Sequence, residues 1–248
     1  FKSWPGHQSI QPTMNSLSRG TGFRSAGAAL ILGATTASAA IVFDNTLNVQ
    51  PGFGAQTTKE YGDEIKLAGT DRFVTEFQFQ YRGEFSPTAS APTATIRIYA
   101  NDGPSALPGQ TTAPRPGTLL WESGPLNLKA GNNIVALAPN VLVPGTITWS
   151  VTFSGLSGAE GDRAGLMISN PPKVGGELLG GVVGSYNDYW IKTDPNDSDS
   201  WALRRIQDGQ VPANFYAQVT AIPEPSTLAL LSLGLGGLWL LHRRRVGH

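Results

Sequence analysis

The stretch Gly145-Thr146-Ile147-Thr148-Trp149-Ser150-Val151-Thr152-Phe153 alternates without a break. Ile147, Trp149, Val151 and Phe153 take the odd positions, and Thr146, Thr148, Ser150 and Thr152 the even ones. Successive strand side chains point to opposite faces, so this period of two gathers the four apolar groups on one side. One apolar and one polar face mark an antiparallel strand lying over a core. Trp149 is expected in that core, together with Trp121 of Leu119-Leu120-Trp121.

The same period extends outward in both directions. In 72–82, Phe73, Thr75, Phe77, Phe79 and Tyr81 share one face, and Val74, Glu76, Gln78, Gln80 and Arg82 share the other. In 93–100, Ala94, Ile96 and Ile98 are expected inward, and Thr95, Arg97 and Tyr99 outward. Shorter strands are expected at 41–43, 47–49, 64–68, 118–122, 126–128, 133–138, 164–169, 189–192, 202–206 and 214–221. Pro51-Gly52-Phe53-Gly54 reads as a turn, and 101–117, with four prolines and three glycines, as a long loop. No window between 40 and 220 has a helical period with a cap. The expectation is an all-β domain over 40–220, an antiparallel β-sandwich of jelly-roll type. No internal repeat points to a propeller or solenoid.

The formal charge of the 248 residues is zero, but residues 40–222 hold 12 Lys and Arg against 17 Asp and Glu, a net −5. Without a basic patch, nucleic acid is not an expected partner, because binding it needs clustered cations that displace counterions. There is no Cys, hence no disulfide framework, thiolate nucleophile or Cys-ligated zinc. The three histidines, His7, His242 and His248, all lie outside 40–222. Ser-His-Asp chemistry and His-ligated metals are therefore not available to the domain. Carboxylate chemistry and oxygen-ligated Ca²⁺ remain open.

Three groups of residues are candidates for function. Asp194, Asn196, Asp197 and Asp199 concentrate oxygen ligands in one loop, which reads either as a calcium site or as a solvated acidic turn. Tyr186, Tyr189, Trp190 and Trp201 flank that loop, either as a sugar-stacking surface or as core. Glu76, Glu84, Glu122, Glu160 and Glu177 read as scattered surface carboxylates rather than a glycosidase pair. The Gly175-Gly176 and Gly180-Gly181 pairs read as turns, since no Lys-Ser/Thr follows to make a phosphate loop.

The two ends differ from the body. Met14 reads as a start, with 1–13 upstream of it; Arg19 and Arg24 precede an apolar run at 26–36, and Ala37-Ser38-Ala39 fits signal-peptidase cleavage after Ala39. A leader of this kind, expected as a signal helix within 1–39, implies the Sec translocon and signal peptidase as partners. At the other end, Pro223-Glu224-Pro225 is followed by an uncharged run over 226–241 with eight leucines, then Arg243-Arg244-Arg245. As a helix that run would rise about 24 Å, a little short of the roughly 30 Å hydrocarbon core, and the arginines would stay cytoplasmic as a stop-transfer cluster.

Tripeptide, hydrophobic helix and basic end, in that order over 221–248, closely resemble the PEP-CTERM sorting signal of exported bacterial proteins. The resemblance implies that a membrane-embedded exosortase-type enzyme recognises Pro223, Glu224 and Pro225, cuts near them, and passes the chain from an inner-membrane intermediate to the envelope or extracellular matrix. In that chemistry these residues are substrate. The expected function is a non-catalytic exported envelope or matrix protein without a cofactor, linked to exopolysaccharide or biofilm. The alternative is a secreted carbohydrate-binding module, calcium-stabilised, working through 186–201.

Overall fold

The computed structural model describes residues 38–55, 59–85, 91–105, 114–157, 161–176, 188–194, 197–207, 211, 213–224 and 234. Thirteen strands run in chain order: β1 (Ala40–Asn45), β2 (Val49–Ala55), β3 (Glu60–Lys66), β4 (Phe73–Glu84), β5 (Thr93–Ala100), β6 (Leu119–Asn127), β7 (Gly131–Leu137), β8 (Val141–Leu142), β9 (Thr146–Ser154), β10 (Arg163–Ser169), β11 (Asp188–Lys192), β12 (Trp201–Arg205) and β13 (Ala217–Ile222). All pairings are antiparallel, in two sheets. The all-β expectation therefore agrees with the structure. The signal helix and the C-terminal hydrophobic helix fall outside the described residues; among the described residues no helix is long and apolar enough to cross a membrane.

The first sheet is organised by β4. Along one edge β4 pairs with β13 and then β10; along the other it pairs with β8 and then β7. β1 continues the sheet beyond β13, and β2 beyond β10. The expected alternation of β4 changes phase. Val74, Phe77, Phe79 and Tyr81 are buried, whereas Phe73 and Thr75 are only partly so. The register against β13 slips between Thr220 and Ala221, which face Glu76 and Val74. One extra residue at such a bulge turns every later side chain to the opposite face.

Two further expectations are corrected by edge geometry. The expected turn at 51–54 is part of β2, an edge strand whose register against β10 slips between Phe53 and Gln50. Proline is tolerated at an edge bulge because no ladder hydrogen bond is owed there. The separate strands expected at 118–122 and 126–128 are one strand, β6, at the edge of the second sheet. Gly124 takes φ +68° at its irregularity, and the Ser123 hydroxyl accepts the Ile96 N–H at 3.0 Å in place of a carbonyl.

The second sheet has the order β12-β11-β3-β9-β5-β6. Its strands β5 and β9 pair over eight residues in unbroken register, from Thr93↔Ser154 to Ala100↔Ile147. Ile147, Trp149, Val151, Phe153, Ala94, Ile96 and Ile98 are buried as expected. They join Val74, Phe77, Phe79, Tyr81, Leu166 and Val219 from the first sheet, and Phe215 from the segment before β13, in one apolar cluster. At its centre the Trp149 ring stands 5.2 Å from Phe77 and 6.2 Å from Phe79 and Phe215, in tilted or edge-on contacts. Trp121 packs partly buried against the same cluster.

Buried polar groups tie the segment before β13 to this core. Asn45 donates through Nδ2 to the carbonyls of Ser169 (2.7 Å) and Phe215 (3.2 Å), and Asp63 accepts the Phe215 N–H at 2.9 Å. A buried carbonyl or N–H left unmet costs about 1–3 kcal/mol, so these bonds fix where β13 begins.

Candidate functional site

β13 lies between β1 and β4 and is bonded on both sides. Its last residue, Ile222, pairs with Phe73, and the next two, Pro223 and Glu224, are exposed. The proline ends the ladder because it has no N–H to donate. The motif tripeptide thus starts where the sheet stops. Pro225, Arg243, Arg244 and Arg245 lie outside the described residues. At the other end Ala39 is exposed and Ala37 lies outside them. Ala40 pairs with Ala221, so the two expected processing points flank neighbouring strand ends.

The aromatic residues 189–201 divide between two environments. Tyr189 faces the main core, with its ring 6.3 Å from both Tyr61 and Phe215. Trp190 and Trp201 lie on the opposite side of the second sheet and form a small cluster with Tyr99 and Leu203. Trp190 is 1% exposed and Trp201 4%, so neither ring offers an open flat face on which a sugar could stack. Tyr99 meets Trp201 edge-on at 5.5 Å, and the Lys192 ammonium sits 5.8 Å from the Trp201 ring centre. Tyr186 lies outside the described residues.

Beside this cluster runs a polar network that residue pattern alone did not reveal. Glu60 is buried and accepts hydrogen bonds from the Tyr99 hydroxyl (2.9 Å) and the Ser150 hydroxyl. Arg97 bridges Glu60 at 3.3 Å and Glu122 at 2.6 Å, and also donates to the Thr152 hydroxyl. Burial pushes the Tyr99 phenol far up, and the Glu60 carboxylate adds to the effect. Four residues further along β3, burial raises Glu64 to about 7, although the Trp190 indole (3.4 Å) and the Asn101 amide favour its charged form. Asn101 Nδ2 and Glu64 Oε1 are both buried and make no hydrogen bond of standard geometry. Asp188 is also raised, by burial, with Arg205 opposing. The only sequence signal for this network was the placing of Tyr99 and Arg97 on the outward face of β5.

The acidic loop is organised by its own backbone. The Ser200 hydroxyl donates to the carbonyls of Asp194 and Asp197, the Asp197 carboxylate accepts the Asp199 N–H at 2.8 Å, and Arg115 donates to the Asp199 carbonyl. The Asp194, Asp197 and Asp199 residues are exposed, and Asn196 lies outside the described residues. Among the described residues no three acidic side chains converge as metal ligands would. Of the scattered glutamates, Glu84 pairs with Arg82 and Arg163, Glu122 with Arg97, and Glu76 accepts from Gln78. Glu160 and Glu177 lie outside the described residues.

No curated protein and no solved structure matches the chain. One family model does, over residues 221–245, and it describes the PEP-CTERM protein-sorting motif. These 25 residues include the Pro223-Glu224-Pro225 tripeptide, the uncharged leucine-rich run and the three arginines. The chain therefore carries a PEP-CTERM sorting motif, joined without a spacer to the interior strand β13, and that motif indicates an exported, envelope-associated protein sorted by an exosortase-type enzyme.

Proposed function

We propose that this protein is a non-catalytic building component of the cell envelope or extracellular matrix. Its two sheets form a jelly-roll-like β-sandwich around the shared core; the leucine-rich run holds the exported chain in the inner membrane until an exosortase-type enzyme cuts at Pro223-Glu224-Pro225. Sec translocon and signal peptidase act first, after Ala39. Exopolysaccharide or a biofilm matrix is the destination. The observation that carries this reading is the exposed Pro223-Glu224 directly after a strand hydrogen-bonded on both sides. Among the described residues the last strand is complete at Ile222, ahead of the proposed cut.

Mass spectrometry of the protein purified from its native cell tests the proposal. The expected chain begins at Ala40 and ends near residue 222. A full-length chain retaining Arg245 refutes processing. The alternative, a calcium-stabilised sugar-binding module, draws on the aromatic residues of 186–201 and the acidic loop at 194–199. The burial of Trp190 and Trp201 favours the packing role instead.

A further inference from the structure

The row of the first sheet from which the sorting motif leaves is apolar across its width. Ile222 pairs with Phe73, and Phe73 with Leu142. Their neighbours Ala221 and Val74 are fully buried, so Ile222, Phe73 and Leu142 point to the outer face. Ile41 of β1 lies one row further in, opposite Thr220, and faces the same way. Ile41 is 45% exposed and Leu142 50%, while Phe73 and Ile222 are partly exposed. Beyond this row the same face turns polar: Thr75, Glu76, Gln78, Thr220 and Gln218 follow on β4 and β13. Further along the same face Ile134, 56% exposed, stands alone opposite Gln80, whereas at this end Ile222, Phe73 and Leu142 adjoin one another.

Chain length says what lies against that end. From Ile222 to Leu228, the first apolar residue of the leucine-rich run, there are six residues, which span about 20 Å at most even when fully extended. The headgroup layer occupies roughly 5–8 Å of that distance. On the other side, Ala39 stands three residues from the end of the 26–36 apolar run, and Ala40 is paired with Ala221. Both hydrophobic segments therefore leave from adjacent strands at one end of one sheet.

We propose that Ile41, Phe73, Leu142 and Ile222 form a membrane-contacting rim, which rests on the lipid headgroup surface while the precursor is anchored. The proposal depends on the reading that the leucine-rich run is embedded in the membrane. The rim would orient the domain so that Pro223-Glu224 is held at the bilayer surface, where a membrane-embedded processing enzyme works. Leucine, isoleucine and phenylalanine at the level of the headgroups each add apolar burial to the tether.

The absence of native cysteine allows single-site labelling of the full-length chain. Leu142→Cys and Ile41→Cys are labelled with an environment-sensitive fluorophore and reconstituted in phosphatidylethanolamine–phosphatidylglycerol vesicles containing a spin-labelled quencher lipid. Asn132→Cys, on the exposed stretch of β7 opposite Arg82, is the distant control. Carbonate extraction and circular dichroism are run on each variant. The expected result is a carbonate-resistant chain whose emission falls about twofold at 41 and 142 and is unchanged at 132. A carbonate-resistant chain with no quenching at either rim position overturns the rim and leaves the anchor standing. A chain extracted by carbonate overturns the anchor, and the rim with it. If one rim variant loses the strand signature in circular dichroism, the other decides.

Discussion

The outer faces of the two sheets carry similar residues and meet different fates. On the first sheet, Thr75, Glu76, Gln78, Gln218 and Thr220 stay partly exposed. On the second, Thr148 and Ser150 are fully buried, Glu60 is 6% exposed, and Tyr99, Trp190 and Trp201 pack beside them. Apart from the bulge where Thr75 and Glu76 adjoin, both sets alternate with core residues and so follow the period of two. Alternation therefore reports which face a side chain takes, and the neighbours on the strands alongside decide whether that face is wet. On the second sheet, Arg97 and the aromatic rings fill the space that water occupies on the first.

Trp149→Ala sets the scale for a position buried in the shared core. Trp149 has no exposed surface and touches Phe77, Phe79 and Phe215. Lost burial and the cavity left behind should cost about 3–5 kcal/mol in urea unfolding. A loss under about 1 kcal/mol would remove the odd positions of β9 from the core. Glu60→Ala then asks whether the outer face of the second sheet behaves as interior. It strands the Tyr99 and Ser150 hydroxyls and takes one of two carboxylates from Arg97. Because the Arg97 side chain is 22% exposed, the full penalty of breaking a buried pair is reduced, to about 2–3 kcal/mol. A value near that of a surface substitution would make the two outer faces equivalent.

Glu64 sharpens the contrast through pH. Its carboxyl is raised from 4.5 to about 7 by burial, so the folded state holds a proton that the unfolded state releases. Stability is then greatest below about 4.5 with respect to this group, and falls as pH rises to about 7, by up to roughly 3 kcal/mol. Glu64→Gln should flatten the slope of unfolding free energy across that window. An unchanged slope in the variant would mean that Glu64 is solvated in the folded protein.

Much of this architecture was legible in the residues. β5 and β9 follow their alternation because both are central in the second sheet and pair in unbroken register. The phase change in β4 was not legible, since a bulge is a relation between two strands and the 72–82 pattern contains only one. β8 has two residues, too few for any period. The Pro223-Glu224 motif could be read because its information is local. The cluster of Tyr99, Trp190 and Trp201 could not, because it forms only when β11 and β12 extend the sheet that contains β5.

The smallest expected effect lies on the first sheet. Gln78 pairs across strands with Gln218 and donates to Glu76 on its own strand. Its side chain keeps access to water, so the hydrogen bond it gives up is replaced by solvent at little net loss. Threonine at this position has the stronger strand preference, which offsets part of what remains. Gln78→Thr should therefore shift unfolding by no more than about 0.5 kcal/mol. A destabilisation above about 1.5 kcal/mol would mean that this face is covered as well. The polar outer surfaces of the two sheets would then differ only in what covers them.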